Sequence, residues 1–193
     1  MKIYSKRLLF NPMRSTPIIF LLIIQMAGFS EGMDRQAPLP ISEAELLAAQ
    51  KTWGEAIVSI GKAYTQRQDY KAEAIKTVDE LYDYAAGPVL FKPTKAAKNQ
   101  FRSSRESAIS YFVGGEIAED HGFALQPWSA VRFENSAIIL EESFAAAMGN
   151  YFFTNAKSGV EAKVEYSFIY RRDSQGALRI QLHHSSLPYQ PEH

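Results

Sequence analysis

The chain contains no cysteine. That excludes disulfides, thiol nucleophiles, iron–sulfur clusters and cysteine-held zinc. Charge of either sign is not in excess, since 21 basic residues balance 21 acidic ones. No block of like charge marks a polyanion site, and nothing has the electrostatic footprint of a nucleic-acid binder. Histidine is scarce, with four in 193 residues. Zinc motifs of the H-E-x-x-H kind, acidic calcium loops, glycine-rich phosphate loops and kinase signatures are absent. There is no internal repeat and no low-complexity stretch. Only one long apolar run occurs, Pro17 to Gly28, and it is short for a membrane span.

That run follows the basic residues Lys2, Lys6, Arg7 and Arg14 and precedes the small residues Ala27, Gly28 and Ser30. This is the layout of a secretory leader cleaved near Ser30, so residues 1–30 are expected to be a signal peptide. Residues 31–41, polar and with two prolines, read as a linker, and 42–190 as one folded domain. The leader holds four basic and no acidic residues, so the remainder carries 17 basic against 21 acidic. An exported, mildly acidic domain without disulfides must rest on its core. A hydrophobic content of 46%, with 12% aromatic, supplies one. A periplasmic or secreted location is expected, with no membrane contact after cleavage.

Ser42 with Glu45 forms a capping box, and Leu46, Trp53, Ile57, Ile60 and Tyr64 make one face of a helix to about Arg67. Asp69 caps a second helix striped by Ala74, Ile75, Val78, Leu81, Tyr82 and Ala85 and stopped at Gly87-Pro88. Val89 to Phe91 reads as a short strand. Ser103 or Ser104 opens a third helix through about Phe112, and Glu116 to Pro127 reads as loop. Strands are then expected at 130–133, 137–144, 147–154, 161–170 and 178–186, with a turn at Asn135-Ser136. Helices first and an antiparallel meander afterwards define an α+β fold. The order matches an NTF2-like cone, with N-terminal helices packed on a strongly curved, mostly antiparallel sheet around an internal pocket.

Two histidines and two serines stand in a row in the segment Arg179 to Tyr189, R-I-Q-L-H-H-S-S-L-P-Y. Strand alternation puts Leu182, His184 and Ser186 on one face and His183, Ser185 and Leu187 on the other. Adjacent strand histidines diverge, so His183 and His184 do not share a metal ion. His121 lies in a loop and His193 is the last residue, which leaves too few ligands for a protein-held catalytic zinc. The pair His184 and Ser186 is either a base with a hydroxyl partner on a pocket wall or a hydrogen-bonded core histidine beside a strand serine. Thr94, in Phe91-Lys92-Pro93-Thr94, is either a pocket-mouth hydroxyl or part of an ordinary turn, and Tyr111 either reaches a cavity or is a core tyrosine.

Taken together, F-K-P-T-K-A (91–96), Q-F-R (100–102), S-Y-F-V-G-G (110–115), G-F-A-L-x-P-W (122–128), M-G-N-Y-x-F (148–153) and L-H-H-S-S-L-P-Y (182–189) resemble the iota-class carbonic anhydrases. Their domain is related to the association domain of calcium/calmodulin-dependent kinase II. The resemblance covers about residues 42–190. It implies the NTF2-like cone, a homodimer, and reversible hydration of carbon dioxide to bicarbonate, with water activated by hydroxyl and imidazole groups. By motif it puts catalytic roles on Thr94, Tyr111, His184 and Ser186. It implies no cofactor, although metal use differs between members and stays open at this point. Two other readings also remain: a cone-fold isomerase, dehydratase or cyclase, and a non-catalytic oligomerisation module.

Overall fold

The computed structural model describes residues 40–191. The expected leader, and all of the expected linker but Pro40 and Ile41, lie outside the described residues. Helix α1 spans Glu43–Thr65 and α2 spans Tyr70–Leu81. Strand β1 is Leu90–Lys92, and helix α3 is Arg105–Val113. A single 3₁₀ turn, Phe123–Leu125, precedes three long strands and a shorter last one: β2 (Trp128–Leu140), β3 (Phe144–Asn155), β4 (Glu161–Arg172) and β5 (Leu178–Ser186).

The helix starts follow the local chemistry. The Ser42 hydroxyl accepts from the Glu45 N–H, and the Glu45 carboxylate accepts from the Ser42 N–H at 2.9 Å. Asp69 caps α2 by accepting from Ala72 N–H at 3.0 Å, and Ser104 caps α3. Each cap satisfies amides that have no partner inside the helix. Helix α2 ends earlier than its apolar stripe predicts. Tyr82 turns to extended backbone (φ −111°, ψ 146°) and bridges Ile180 in parallel, which carries its side chain into the core.

The five strands form one sheet in the order β1-β5-β4-β3-β2. The β1–β5 pair is parallel and the others antiparallel. The helices cover one face. There Tyr151, Phe153, Val164, Tyr166, Phe168 and Tyr170 pack against α1, with Trp53 at the centre. The Trp53 ring lies 5.4 to 6.2 Å, centroid to centroid, from the rings of Phe133, Tyr151, Phe153, Phe168 and His183. Burying such rings supplies the hydrophobic stabilisation that a cysteine-free domain depends on.

The expected turn at Asn135-Ser136 is a bulge inside one continuous strand β2, and the chain reverses later, between Leu140 and Phe144. The bulge has two local causes. The Asn135 side chain is drawn inward, accepting from Gln50 Nε2 at 2.8 Å and from the Tyr166 hydroxyl. Opposite it, Gly149 has no Cβ, and a Cβ there would fall on the Glu134 carbonyl oxygen. Turn-forming residues thus serve a bulge, which sharpens the local twist of the sheet.

Candidate functional site

The inner face of β5 carries His183 and Ser185, which are 2% and 3% exposed. His184 and Ser186, the residues expected to face the pocket, lie on the outer face; His184 is exposed, and the Ser186 hydroxyl donates to Glu165 at 3.0 Å on the surface. The physical reason is a second bulge. Tyr170 pairs with Ile180 and Ile169 with Leu182, so Gln181 has no partner and the side-chain alternation restarts after it. Without that extra residue Ile180, Leu182, His184 and Ser186 would share a face. With it, the inward set is Ile180, His183 and Ser185, opposite Tyr170, Phe168 and Tyr166.

Thr94 reaches the same place from the loop after β1. The parallel register sets Phe91 beside His183 and Lys92 beside His184, and Pro93 then ends the strand. The Thr94 hydroxyl donates to Ser185 Oγ at 2.9 Å. The loop is held from below by Glu119, whose carboxylate accepts from Lys98 N–H and Asn99 N–H at 2.8 Å each and from Ala97 N–H at 3.3 Å. Glu119 lies 3.7 Å from the fully buried Arg102 guanidinium, which also donates to Asp120 at 2.6 Å.

Tyr111 sits in the last turn of α3, 5% exposed, stacked on Phe123 at 5.4 Å and edge-on to Phe91 at 5.8 Å. It lines a cavity of about 140 Å³ that also touches Lys95, Asp120, His121, Phe123 and Gln126. Of the four expected residues, then, Thr94 and Tyr111 are brought to the inner side, and His183 with Ser185 stand where His184 and Ser186 were expected.

Two further tyrosines complete the cluster. The Tyr82 hydroxyl is 2.9 Å from His183 Nδ1, and Trp53 Nε1–H donates to the same hydroxyl at 2.9 Å. The Tyr151 hydroxyl lies 3.4 Å from His183 Nε2, and it is also within reach of Ser185 and Thr94. Tyr151 belongs to the M-G-N-Y-x-F segment, which is the one signal that marks it. Tyr82 carries no signal beyond its place in an apolar stripe.

The donors and acceptors fix the direction of this chain. An indole N–H can only donate, so Tyr82 receives from Trp53, and its buried O–H, with His183 Nδ1 as its one other partner, donates to that nitrogen. Nδ1 is then an acceptor, and the neutral ring carries its hydrogen on Nε2, facing Tyr151. The Tyr151 hydrogen is then not engaged by the ring, and because Thr94 donates to Ser185, the Ser185 hydrogen is also free. The network therefore assigns the tautomer and delivers a hydrogen-bond donor to the site.

Burial sets the electrostatics. Desolvation, with a smaller contribution from the nearby His184, pushes His183 well below the ordinary imidazole range, so the ring is neutral. Desolvation raises the Tyr151 phenol, an effect partly opposed by the Ser185 and Thr94 hydroxyls, and likewise raises Tyr111 and Tyr82. These phenols keep their hydrogens at neutral pH. Among the described residues no group of three His, Asp or Glu side chains is placed to hold a metal ion. The arrangement gathers hydroxyl groups around His183, whose ring is stacked on Phe91 at 4.6 Å and against Phe168 at 4.2 Å.

The family model for metal-independent carbonic anhydrase matches residues 44–187. A relative from Nostoc sp. (strain PCC 7120 / SAG 25.82 / UTEX 2576), described as a metal-independent carbonic anhydrase, is 45% identical over 155 residues, covering 78% of this chain and 75% of its own. The crystal structure of a cyanobacterial iota-carbonic anhydrase complexed with bicarbonate is 44% identical, with a TM-score of 0.76 over 79% of this chain and 95% of that one. An NTF2-like protein with a cystatin-like fold from Novosphingobium aromaticivorans shares the fold alone, at 12% identity, a TM-score of 0.50, and 75% and 80% coverage. The chain, with its hydroxyl and imidazole cluster inside an NTF2-like cone, belongs to the metal-independent carbonic anhydrase family.

Proposed function

We infer that this chain catalyses the reversible hydration of carbon dioxide to bicarbonate using its own side chains. The observation that carries the reading is the contact between Thr94 Oγ1 and Ser185 Oγ, 2.9 Å apart although 91 residues separate them in the chain. Two alcohols from separate elements meet at the end of a directed hydrogen-bond chain, which is what a site for orienting water and a small oxyanion requires. Water attacks the carbon of carbon dioxide, and negative charge grows on the oxygens of the forming bicarbonate. Donors already aimed at those oxygens stabilise that charge without reorganising. The Ser185 and Tyr151 hydroxyls fill this role, with Thr94, His183 and Tyr82 holding their polarity, and Tyr111 closes the site from the α3 side. Confining water and carbon dioxide among aromatic walls adds an entropic advantage.

Stopped-flow hydration by EDTA-treated protein tests the reading. Ser185→Ala and Thr94→Val are each expected to lower kcat/KM on the order of 10²-fold, the scale of losing one oriented donor. His184→Ala and Ser186→Ala, on the outer face, are expected to change it less than about twofold, as surface substitutions do. Equal losses on both faces would defeat the placement, and an inactive wild type would defeat the reaction.

The same proposal includes a homodimer and export. The outer sheet face carries a cross-strand apolar row through all five strands: Leu90, Leu182, Ile169, Ala146 and Ile139. Leu90 and Ile139 are 64% and 55% exposed. A row of this kind is self-complementary about a two-fold axis and suits a second copy of the chain. Sedimentation of the wild type against Ile139→Glu tests it, with a monomeric wild type as the contrary result. Export rests on the basic and apolar leader of residues 1–30, and N-terminal sequencing of the exported protein tests the cleavage near Ser30.

A further inference from the structure

Hydration of carbon dioxide releases one proton per turnover, and the interior of this site has no group that keeps it. Both nitrogens of His183 are engaged, Nδ1 with Tyr82 and Nε2 with Tyr151. The surrounding groups are phenols and alcohols. Burial also makes His183 a poor base and the phenols poor acids. The proton has to leave, and a cavity lined by Tyr111 and by Lys95, the residue after Thr94, adjoins the cluster. At about 140 Å³ it holds a few water molecules, enough to bridge from the buried phenol toward solvent.

The groups around that cavity differ in what they can do with a proton. Lys95 is already a cation. Glu119 is held by three backbone amides, and Asp120, tied through Oδ1 to Arg102 and with its side chain 2% exposed, does not reach bulk buffer. Phe123 and Gln126 do not titrate. His121 alone among them is an imidazole, exposed on one side and lining the cavity on the other. An imidazole accepts and releases a proton near neutral pH, which a transfer group must do in both directions of a reversible reaction.

We propose that His121 carries the product proton from cavity water at Tyr111 to buffer. This rests on the reading of the site as a carbonic anhydrase centre. The attacking water forms the new C–O bond while one C=O electron pair moves onto oxygen. The proton from that water passes along the cavity water to a ring nitrogen of His121. The imidazolium then gives it to a buffer base, and the ring returns neutral.

The test is stopped-flow hydration by the full chain, wild type against His121→Ala and the closer-shaped His121→Gln, over a range of buffer concentration. In dilute buffer both variants are expected to lose on the order of tenfold in kcat, within the reach of a positioned proton-transfer group. Their kcat/KM, which reports the carbon dioxide step, is expected to stay within about twofold. Added imidazole is expected to restore kcat, a rescue that a structural role would not give. Unchanged kcat in dilute buffer, a parallel fall in kcat/KM without rescue, or a wild type indifferent to buffer would each overturn the assignment while leaving carbonic anhydrase activity standing. Absence of hydration by the wild type would instead overturn the reading of the site, and this inference with it.

Discussion

Tyr82 places its hydroxyl 2.9 Å from His183 Nδ1 while accepting the Trp53 indole N–H at the same distance. One buried phenol thereby decides which nitrogen of the imidazole carries hydrogen. Tyr82→Phe removes both bonds, frees the ring to adopt either tautomer, and strands the Trp53 N–H. A loss of about 1–3 kcal/mol in stability is expected, the cost of leaving a buried polar group unpaired. Nitrogen-15 NMR of the wild type should show His183 with hydrogen on Nε2 and a ring that stays neutral as pH falls below the ordinary imidazole range. Hydrogen on Nδ1 would contradict the polarity of the whole chain. In Tyr82→Phe a mixture of tautomers and a lower kcat are expected together.

Glu119 acts on the site without touching it. Its carboxylate ties down the Ala97, Lys98 and Asn99 amides, and so fixes the loop that presents Thr94 to Ser185. Glu119→Gln keeps the shape but weakens charge-assisted bonds to the backbone. Faster hydrogen exchange at Lys98 and Asn99 is expected, with a fall in kcat and a melting temperature close to that of the wild type. Unaltered exchange at those amides would show that the loop is held by other means.

Helix α1 was legible because its start is a local code. The Ser42–Glu45 capping box and the spacing of Leu46, Trp53, Ile57 and Ile60 both appear in the structure. The α+β class and the cone followed from the order of elements. The face of β5 was not legible. R-I-Q-L-H-H alternates so well that it hides the unpaired Gln181, and no glycine or proline marks the bulge. Pairing with β4 decides the parity, which is a long-range fact. Thr94 and Tyr111 were named through the resemblance of their motifs, F-K-P-T-K-A and S-Y-F-V-G-G, since the residues alone left each open between a cavity role and an ordinary turn or core role. Tyr82 was not, because the helical period continues through a residue whose backbone has already left the helix.

Gly149 is a packing requirement of the β2 bulge. A methyl group there would strike the Glu134 carbonyl and crowd the Ser136 amide, both backbone groups with little room to move. Gly149→Ala is expected to destabilise by about 3 kcal/mol or more, at or above the upper end for overpacking, because no side chain can swing aside. Denaturant unfolding measures it. A loss below about 0.5 kcal/mol would mean that the two strands separate freely at this point.

Arg172 on β4 and Glu45 on α1 join the sheet to the first helix, with Arg172 donating at 2.6 Å. The Arg172 hydrogen bond, helped by the Ser42 amide and hydroxyl, lowers the Glu45 carboxyl from 4.5 to about 2. A carboxyl with a depressed folded pKa binds fewer protons in the native state than in the unfolded one, so its contribution is present above about 4.5 and disappears as pH falls toward 2. Glu45 and Arg172 are partly exposed, so solvent screens the pair and the contribution is modest. Arg172→Gln is therefore expected to melt lower than the wild type at neutral pH, with the gap closing as pH drops from about 4.5 to about 2. The capping bonds from Ser42 survive in the variant, so some depression of the Glu45 pKa persists and the gap narrows gradually. Thermal unfolding followed by circular dichroism across that range reads the gap directly, and a gap that is constant or widens in acid would show that Arg172 stabilises the fold through its packing and not through Glu45.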